Sequence, residues 1–223
     1  MSETPVITID GPAGSGKGTI SQRVAQFLSW HILDSGALYR LVAYAATDKG
    51  VSFGDHDALA VIARNLDVSF LPEEGGILKV ILEGVDVSKA IRSETAGEAA
   101  SKVAAVESVR EALLDRQRAF AQTPGLIADG RDMGTVVFPD ATLKIYLTAS
   151  AEVRAQRRLK QLKDHGLNAN LAGLVSDIQE RDARDMNREH SPLRPADDAH
   201  IIDTSNLSID EVVAKVVKLY EFC

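Results

Sequence analysis

The chain has 223 residues, 45% of them hydrophobic and 26% charged, with a formal net charge of −7 and one cysteine, Cys223. Those values belong to an ordinary globular α/β-sized chain and exclude a disulfide scaffold, a disordered tail and a protein that coats nucleic acid by bulk positive charge. No apolar run approaches the ~20 residues of a membrane span, and Met1-Ser2-Glu3-Thr4-Pro5 lacks the basic start of a signal peptide. A cytoplasmic location is therefore expected, with small molecules and neither nucleic acid nor membrane as partner; a monomer is the default expectation, which nothing in the sequence decides.

Val6-Ile7-Thr8-Ile9 is β-branched and apolar, the composition of a buried strand. A glycine-rich turn follows from Gly11 to Gly18. Residues 19–29 then read as an amphipathic helix with Ile20, Val24, Phe27 and Leu28 on its buried side. His31–Asp34 reads as a second short strand, 37–49 as a helix ending at Gly50, and Asp55 as the cap of a helix running to about Leu66. The pattern then changes. Residues 68–71, 78–83 and 85–87 read as short strands separated by Pro72-Glu73-Glu74-Gly75-Gly76 and Glu83-Gly84, which is hairpin chemistry. Residues 94–122 return to helix in two pieces. Leu126–Asp129, Leu143–Leu147 and Ala199–Ile202 complete about five core strands. Between and after them, 150–163 and 171–189 read as long polar helices. Residues 208–222 read as a closing helix with Ile209, Val212, Val213, Val216, Val217 and Leu219 inward. Trp30 reads as a core residue. This alternation predicts a parallel sheet covered on both faces, with a small antiparallel insertion.

The run Gly11-Pro12-Ala13-Gly14-Ser15-Gly16-Lys17-Gly18-Thr19 carries the strongest chemical signal. Glycines allow backbone N–H groups to turn toward an anion, the helix that follows presents its positive end, and Lys17 can bridge the β- and γ-phosphates. The general P-loop pattern places Ser or Thr directly after the lysine. Here Gly18 stands there and Thr19 comes one later, which disfavours a generic ATPase or GTPase. Phosphoryl transfer also needs a second anion held in line, so an arginine-rich acceptor site should exist. Ser35 and Arg40 in Asp34-Ser35-Gly36-Ala37-Leu38-Tyr39-Arg40 follow the second strand. Asp129-Gly130-Arg131-Asp132 follows a strand too, where one carboxylate could support Mg²⁺. Arg154, Arg157 and Arg158 share one helical face, and Arg181, Arg184 and Arg188 share another beside Asp185. Two such stripes, joined through Gly166, suggest a lid over phosphates. The five histidines show no metal-ligand spacing. The residues alone leave open a kinase for any small acceptor, shikimate included, or a nucleotide switch with no acceptor.

Together GPAGSGKGT, DSGALYR, DGRDMGTVVFP, ERDARDMNR and IDTSNLS resemble the bacterial cytidylate kinase family over essentially the whole chain. The resemblance implies a single P-loop kinase domain, α/β, in which a central parallel sheet of about five strands forms a three-layer core at 1–34, 106–152 and 190–223. It also implies a nucleoside monophosphate-binding region with a β insert at about 35–105 and a lid at about 153–189. It implies ATP as donor, Mg²⁺ as cofactor and CMP or dCMP as acceptor, with UMP or AMP as the competing acceptors. Residues Gly11 through Thr19 and Arg157 would bind ATP. Lys17, Asp129, Arg131 and Arg188 would form the catalytic group, with Mg²⁺ supported through Asp129 and no dedicated metal cage. Arg40, Arg131, Arg181 and Arg188 would hold the acceptor phosphate, Asp185 would meet the sugar hydroxyls, and Ser35, Ser101, Arg110 and Asp132 would read the base.

Overall fold

In a computed structural model of the chain, the residues described are 4–72, 78–164 and 169–223. The expected turn at Glu73-Glu74-Gly75-Gly76 and the linking Gly166 lie outside them. The chain divides into two compact units, one of Met1–Asp34 with Gln117–Cys223 and one of Ser35–Arg116.

The first unit is built on a five-stranded parallel sheet. Its strands are β1 (Val6–Asp10), β2 (His31–Asp34), β6 (Leu126–Gly130), β7 (Leu143–Thr148) and β8 (His200–Asp203), in the order β2-β6-β1-β7-β8. The central strands β1 and β6 are buried at every position, which is why they carry unbroken apolar runs rather than alternation. The edge strands β2 and β8 are largely exposed. Ile202 is buried but Ile201 is 63% exposed, so the last strand is an edge and not core. Helices α1 (Lys17–Leu28) and α8 (Ile209–Tyr220) cover one face. Ile7, Ile9, Ile127, Leu143, Ile145 and Leu147 meet Ile20, Val24, Val212 and Val216 there. Because side chains alternate along a strand, Thr8 and Asp10 point to the opposite face. Helices α6 (Ala151–Asp164) and α7 (Leu171–Asn187) complete the unit.

Local chemistry explains the helix ends. Ser208 and Glu211 form a reciprocal capping box at the start of α8, the arrangement that satisfies two orphan donors at once. The buried face of α1 carries Ile20 and Val24 as expected, with Leu28 packed against the core, but Phe27 lies off it. Lys17, Ser21, Val24 and Ala25 are buried while Phe27 is 66% exposed. The buried line runs through Lys17 and Ser21, and Phe27 falls off its edge in the last turn. Ile209 is also exposed, at 45%, since it opens α8 before the helix reaches the sheet. Trp30 lies at the rim of the core and meets Tyr220 edge-on at 5.0 Å. Gly125 lies against its ring so closely that a Cβ would come within 2.3 Å.

The second unit holds α2 (Ser35–Asp48), α3 (His56–Arg64), the antiparallel strands β3 (Val68–Pro72), β4 (Leu78–Leu82) and β5 (Val85–Asp86), a 3₁₀ turn at Ala90–Arg92, α4 (Glu94–Val103) and most of α5 (Glu107–Arg118). Asp55 caps α3 by accepting from the Ala58 amide at 3.0 Å. Glu83 and Gly84, at φ 48° and 82°, form the two-residue turn between β4 and β5, where both central residues need positive φ. Alanines 37, 43, 45 and 46 are buried on α2, which packs against α4. Among the described residues no helix is long and apolar enough to cross a membrane.

Candidate active site

The glycine loop leaves β1 and enters α1. Gly11 adopts φ 146°, and a Cβ there would lie 2.0 Å from the Leu147 carbonyl oxygen. Only glycine lets the loop pass so close to the end of β7. Gly14 and Gly16 also have positive φ, at 77° and 96°. Gly16 caps α1 with no side-chain hydrogen bond, which leaves a helix N-terminus suited to an anion. Ala13 and Gly14 form the turn of the loop, with Pro12 buried before it. The Pro12 carbonyl accepts from Ser15 Oγ at 3.0 Å and from Lys17 Nζ at 2.8 Å. Gly18 and Thr19 are exposed at the helix start.

Lys17 is 6% exposed. Burial pushes its ammonium down from 10.5 to about 7, the nearby charges of Arg131 and Arg181 push the same way, and Asp129 and Asp10 oppose them. Lys17 therefore lies within electrostatic reach of two acceptor-side arginines named from sequence. Asp129 pairs with Ile9 near the end of β6, and one of its oxygens would lie 3.7 Å from a Cβ on Gly18. Arg131 donates from Nε to Asp185 Oδ2 at 3.1 Å and from Nη1 to the Gly130 carbonyl at 3.2 Å. Asp132 is 2% exposed and Asp185 is 4% exposed. Arg188 donates to the Ser191 carbonyl. Arg181 and Arg188 are both half-buried.

The remaining arginines of the two polar helices divide by role. Arg154 is 4% exposed and donates to the carbonyls of Ala149 and Ala13 at 2.9 and 3.0 Å and to Asp182 Oδ1 at 3.0 Å. It ties α6 to α7 and to the glycine loop. Arg157 donates from Nη1 to Thr204 Oγ1 at 3.1 Å and from Nη2 to the Thr204 carbonyl at 2.6 Å. Thr204 Oγ1 in turn lies 3.1 Å from the carbonyls of Ser15 and Thr148. The segment after β8 thus braces the phosphate loop and seats Arg157 next to it.

In the second unit Ser35, Ser101 and Arg110 are 3%, 6% and 9% exposed. Arg110 donates to the Ala104 carbonyl at 3.1 Å and its guanidinium lies 5.5 Å above the Tyr39 ring, a cation–π distance. Arg40 donates to the Ile91 carbonyl at 3.2 Å.

Sequence reasoning did not single out Asp10, Tyr39, Asp182 or Thr204. Asp10 had a legible signal: a carboxylate closing an otherwise apolar buried strand, directly before the glycine loop. Asp10 is 5% exposed. Burial raises it to about 7 although the amides of Gly134 and Met133 pull it down, and the charge of Asp132 adds to the rise. The run after Arg131 is a π-helical turn at Met133–Val137, with the Phe138 amide donating to the Met133 carbonyl at 2.7 Å.

A family model described as "Cytidylate kinase" matches residues 7–221. A protein named "Cytidylate kinase" from Marinomonas sp. (strain MWYL1) is 58% identical over 216 residues, covering 97% of this chain and 95% of that one. One of the same name from Vibrio vulnificus (strain CMCP6) is 58% identical over 220 residues, covering 99% and 97%. Among solved structures, an uncharacterized protein from Eubacterium ventriosum ATCC 27560 superposes with a TM-score of 0.56 at 10% identity, covering 99% of this chain and 100% of that one. That last likeness speaks for the fold alone. With the phosphate loop, the parallel sheet and a match across nearly its full length, the chain belongs to the cytidylate kinase family.

Proposed function

We propose that the protein transfers the γ-phosphoryl group of ATP to CMP or dCMP, giving ADP and CDP or dCDP. The observation that carries the reading is the convergence of charge on Lys17. The ammonium that the glycine loop positions loses proton affinity chiefly through burial, and the charges of Arg131 and Arg181 add to that loss against Asp129 and Asp10. A buried ammonium with two guanidinium charges acting on it is unfavourable by itself, and phosphate groups would relieve that strain.

The N–H groups of the Gly14–Thr19 turn and the α1 terminus hold the donor phosphates. Lys17 follows the charge that moves from the γ-phosphoryl to the leaving ADP. Arg157, seated on Thr204, borders the donor side. Arg131, Arg181 and Arg188 take the acceptor phosphate, the role that the family resemblance also implies for Arg40, and Asp185 takes the sugar hydroxyls. To do so Arg131 exchanges its Asp185 partner for phosphate. Asp132, Ser35, Ser101 and Arg110 read the base. Cytosine presents an N4 amino group that a carboxylate accepts from, whereas uracil would set oxygen against oxygen.

Among the described residues no three carboxylates, histidines or cysteines cluster as a metal cage. A nucleotide-borne Mg²⁺ needs only one or two carboxylates beside the phosphates. Asp129, buried next to the side-chain-free Gly18, fits that need and would hold it. Bound there, the ion supplies neutralisation of phosphate charge.

The test is an acceptor panel of CMP, dCMP, UMP, AMP and shikimate with Mg²⁺-ATP. CMP or dCMP should give the highest kcat/KM, and ADP release without acceptor should be slow. Preference for AMP or shikimate, or ADP release indifferent to CMP, would refute the assignment. The variant Asp132→Ala should lower the CMP-over-UMP ratio by about tenfold or more, the loss of a mispairing worth ~1–3 kcal/mol. An unchanged ratio would remove Asp132 from the base pocket.

A further inference from the structure

Asp10 lies on the face of β1 opposite α1 and α8, and the π-helical turn Met133–Val137 packs on it. Its two carboxylate oxygens accept one hydrogen bond each, Oδ1 from the Met133 amide at 2.9 Å and Oδ2 from the Gly134 amide at 2.8 Å. These are the first two amides of the turn, which no carbonyl within it can satisfy. The residue at the capping position, Asp132, makes no side-chain cap, so Asp10 caps the turn from 123 residues away in sequence. The approach is close because position 134 is glycine. A Cβ there would lie 2.8 Å from Thr8 Oγ1.

The arrangement is costly. The carboxylate is buried, and the charge of Asp132 is near enough to raise it further. A buried acid beside a second acid is a poor way to hold two strands of chain together if stability were the only return. What the clamp does fix is direction. Arg131 and Asp132 directly precede the clamped amides, and Asp10 directly precedes Gly11. One side chain therefore registers the acceptor loop against the origin of the donor loop.

We propose that Asp10 is a positioning residue for acceptor recognition, clamping the Met133 and Gly134 amides so that Asp132 and Arg131 are held in the orientation that meets the acceptor's base and phosphate. This inference rests on the acceptor roles assigned above to those two residues. Asp10 acts through them and touches no substrate.

In Asp10→Asn the side chain offers one oxygen and one NH₂, so one of the two amides faces a donor. Three measurements on the full-length variant test the clamp: steady-state kinetics with CMP and UMP, ATP KM at saturating CMP, and amide hydrogen exchange along the chain. Expected are a rise in CMP KM of about tenfold or more, an ATP KM within about threefold of wild type, and at least tenfold faster exchange for residues 131–137 with β7 unchanged. The CMP-over-UMP ratio should fall, and the double variant with Asp132→Ala should lose no more of it than Asp132→Ala alone. CMP KM and exchange at 131–137 both unaltered, or losses of selectivity that add in the double variant, would overturn the proposal. Should Asp132→Ala alone leave selectivity intact, the base-reading role falls, and the clamp then stands or falls on the CMP KM and the exchange rates. Gly134→Ala strains the same clamp from the other side and should give the same split between CMP and ATP, which keeps the test open if Asp10→Asn does not fold.

Discussion

Replacing Lys17 by methionine should make the ligand-free protein more stable while abolishing phosphoryl transfer. Lys17 is buried and its ammonium is lowered from 10.5 to about 7. At about 1.4 kcal/mol for each tenfold change in proton affinity, keeping it charged in the folded state costs about 5 kcal/mol. The sign follows from linkage. Below pH 7 the lysine is charged in folded and unfolded chains alike, and the folded state bears the whole cost. Between pH 7 and 10.5 the unfolded chain holds a proton that the folded chain releases, so the cost declines as pH rises, to about 2 kcal/mol at pH 9. Methionine keeps the length of the side chain but loses the hydrogen bond to the Pro12 carbonyl, worth about 1 kcal/mol. The net gain should be about 4 kcal/mol at pH 6, shrinking to about 1 kcal/mol by pH 9. Asp10 pushes the difference the same way. Lys17 helps hold its proton affinity down, so in the variant Asp10 keeps its proton to higher pH and loses folded-state stability over a wider range. Urea unfolding at pH 6, 7, 8 and 9 measures the difference directly. A variant no more stable than wild type at pH 6, or a difference that does not shrink with pH, would refute the account of a strained ammonium awaiting phosphate.

Gly11→Ala should destabilise by roughly 2–6 kcal/mol, combining a strained positive φ with overpacking against backbone, because the new methyl would lie 2.0 Å from the Leu147 carbonyl oxygen. An unchanged urea midpoint would show that the loop has room to move. Arg154→Met should cost about 3–5 kcal/mol, the penalty for leaving a buried partner charge uncompensated, here Asp182 at 8% exposure. If Arg154→Met instead kept its stability and raised only the KM for ATP, Arg154 would be a phosphate ligand and not a tie between α6 and α7.

The phosphate loop could be read directly because its information is local. Glycines at 11, 14 and 16, a lysine in register and a strand before a helix specify one backbone path whatever surrounds them. The same holds for the capping residue Asp55 and for the central strands β1 and β6, whose unbroken apolar runs only a sheet covered on both faces can bury. The hairpin turn at Glu83-Gly84 was legible for the same reason.

Partnership between distant side chains had no such local trace. Arg154, Arg157 and Arg158 share a helical face in sequence, but Arg154 neutralises Asp182, Arg157 rests on Thr204, and nothing in their spacing could assign them differently. Phe27 and Ile209 are apolar and at helical spacing, yet exposed, because which part of a helix is covered depends on where the neighbouring layer ends. Above all, the meeting of Asp10 with the amides of residues 133 and 134 needs β1 and β6 laid side by side. Periodicity and composition decide which segments become strands, helices and anion loops. Which carboxylate faces which amide, and which arginine faces which acid, is decided by the packing of segments 28 to 124 residues apart, since Coulombic and hydrogen-bond energies depend on distances that only the folded chain sets.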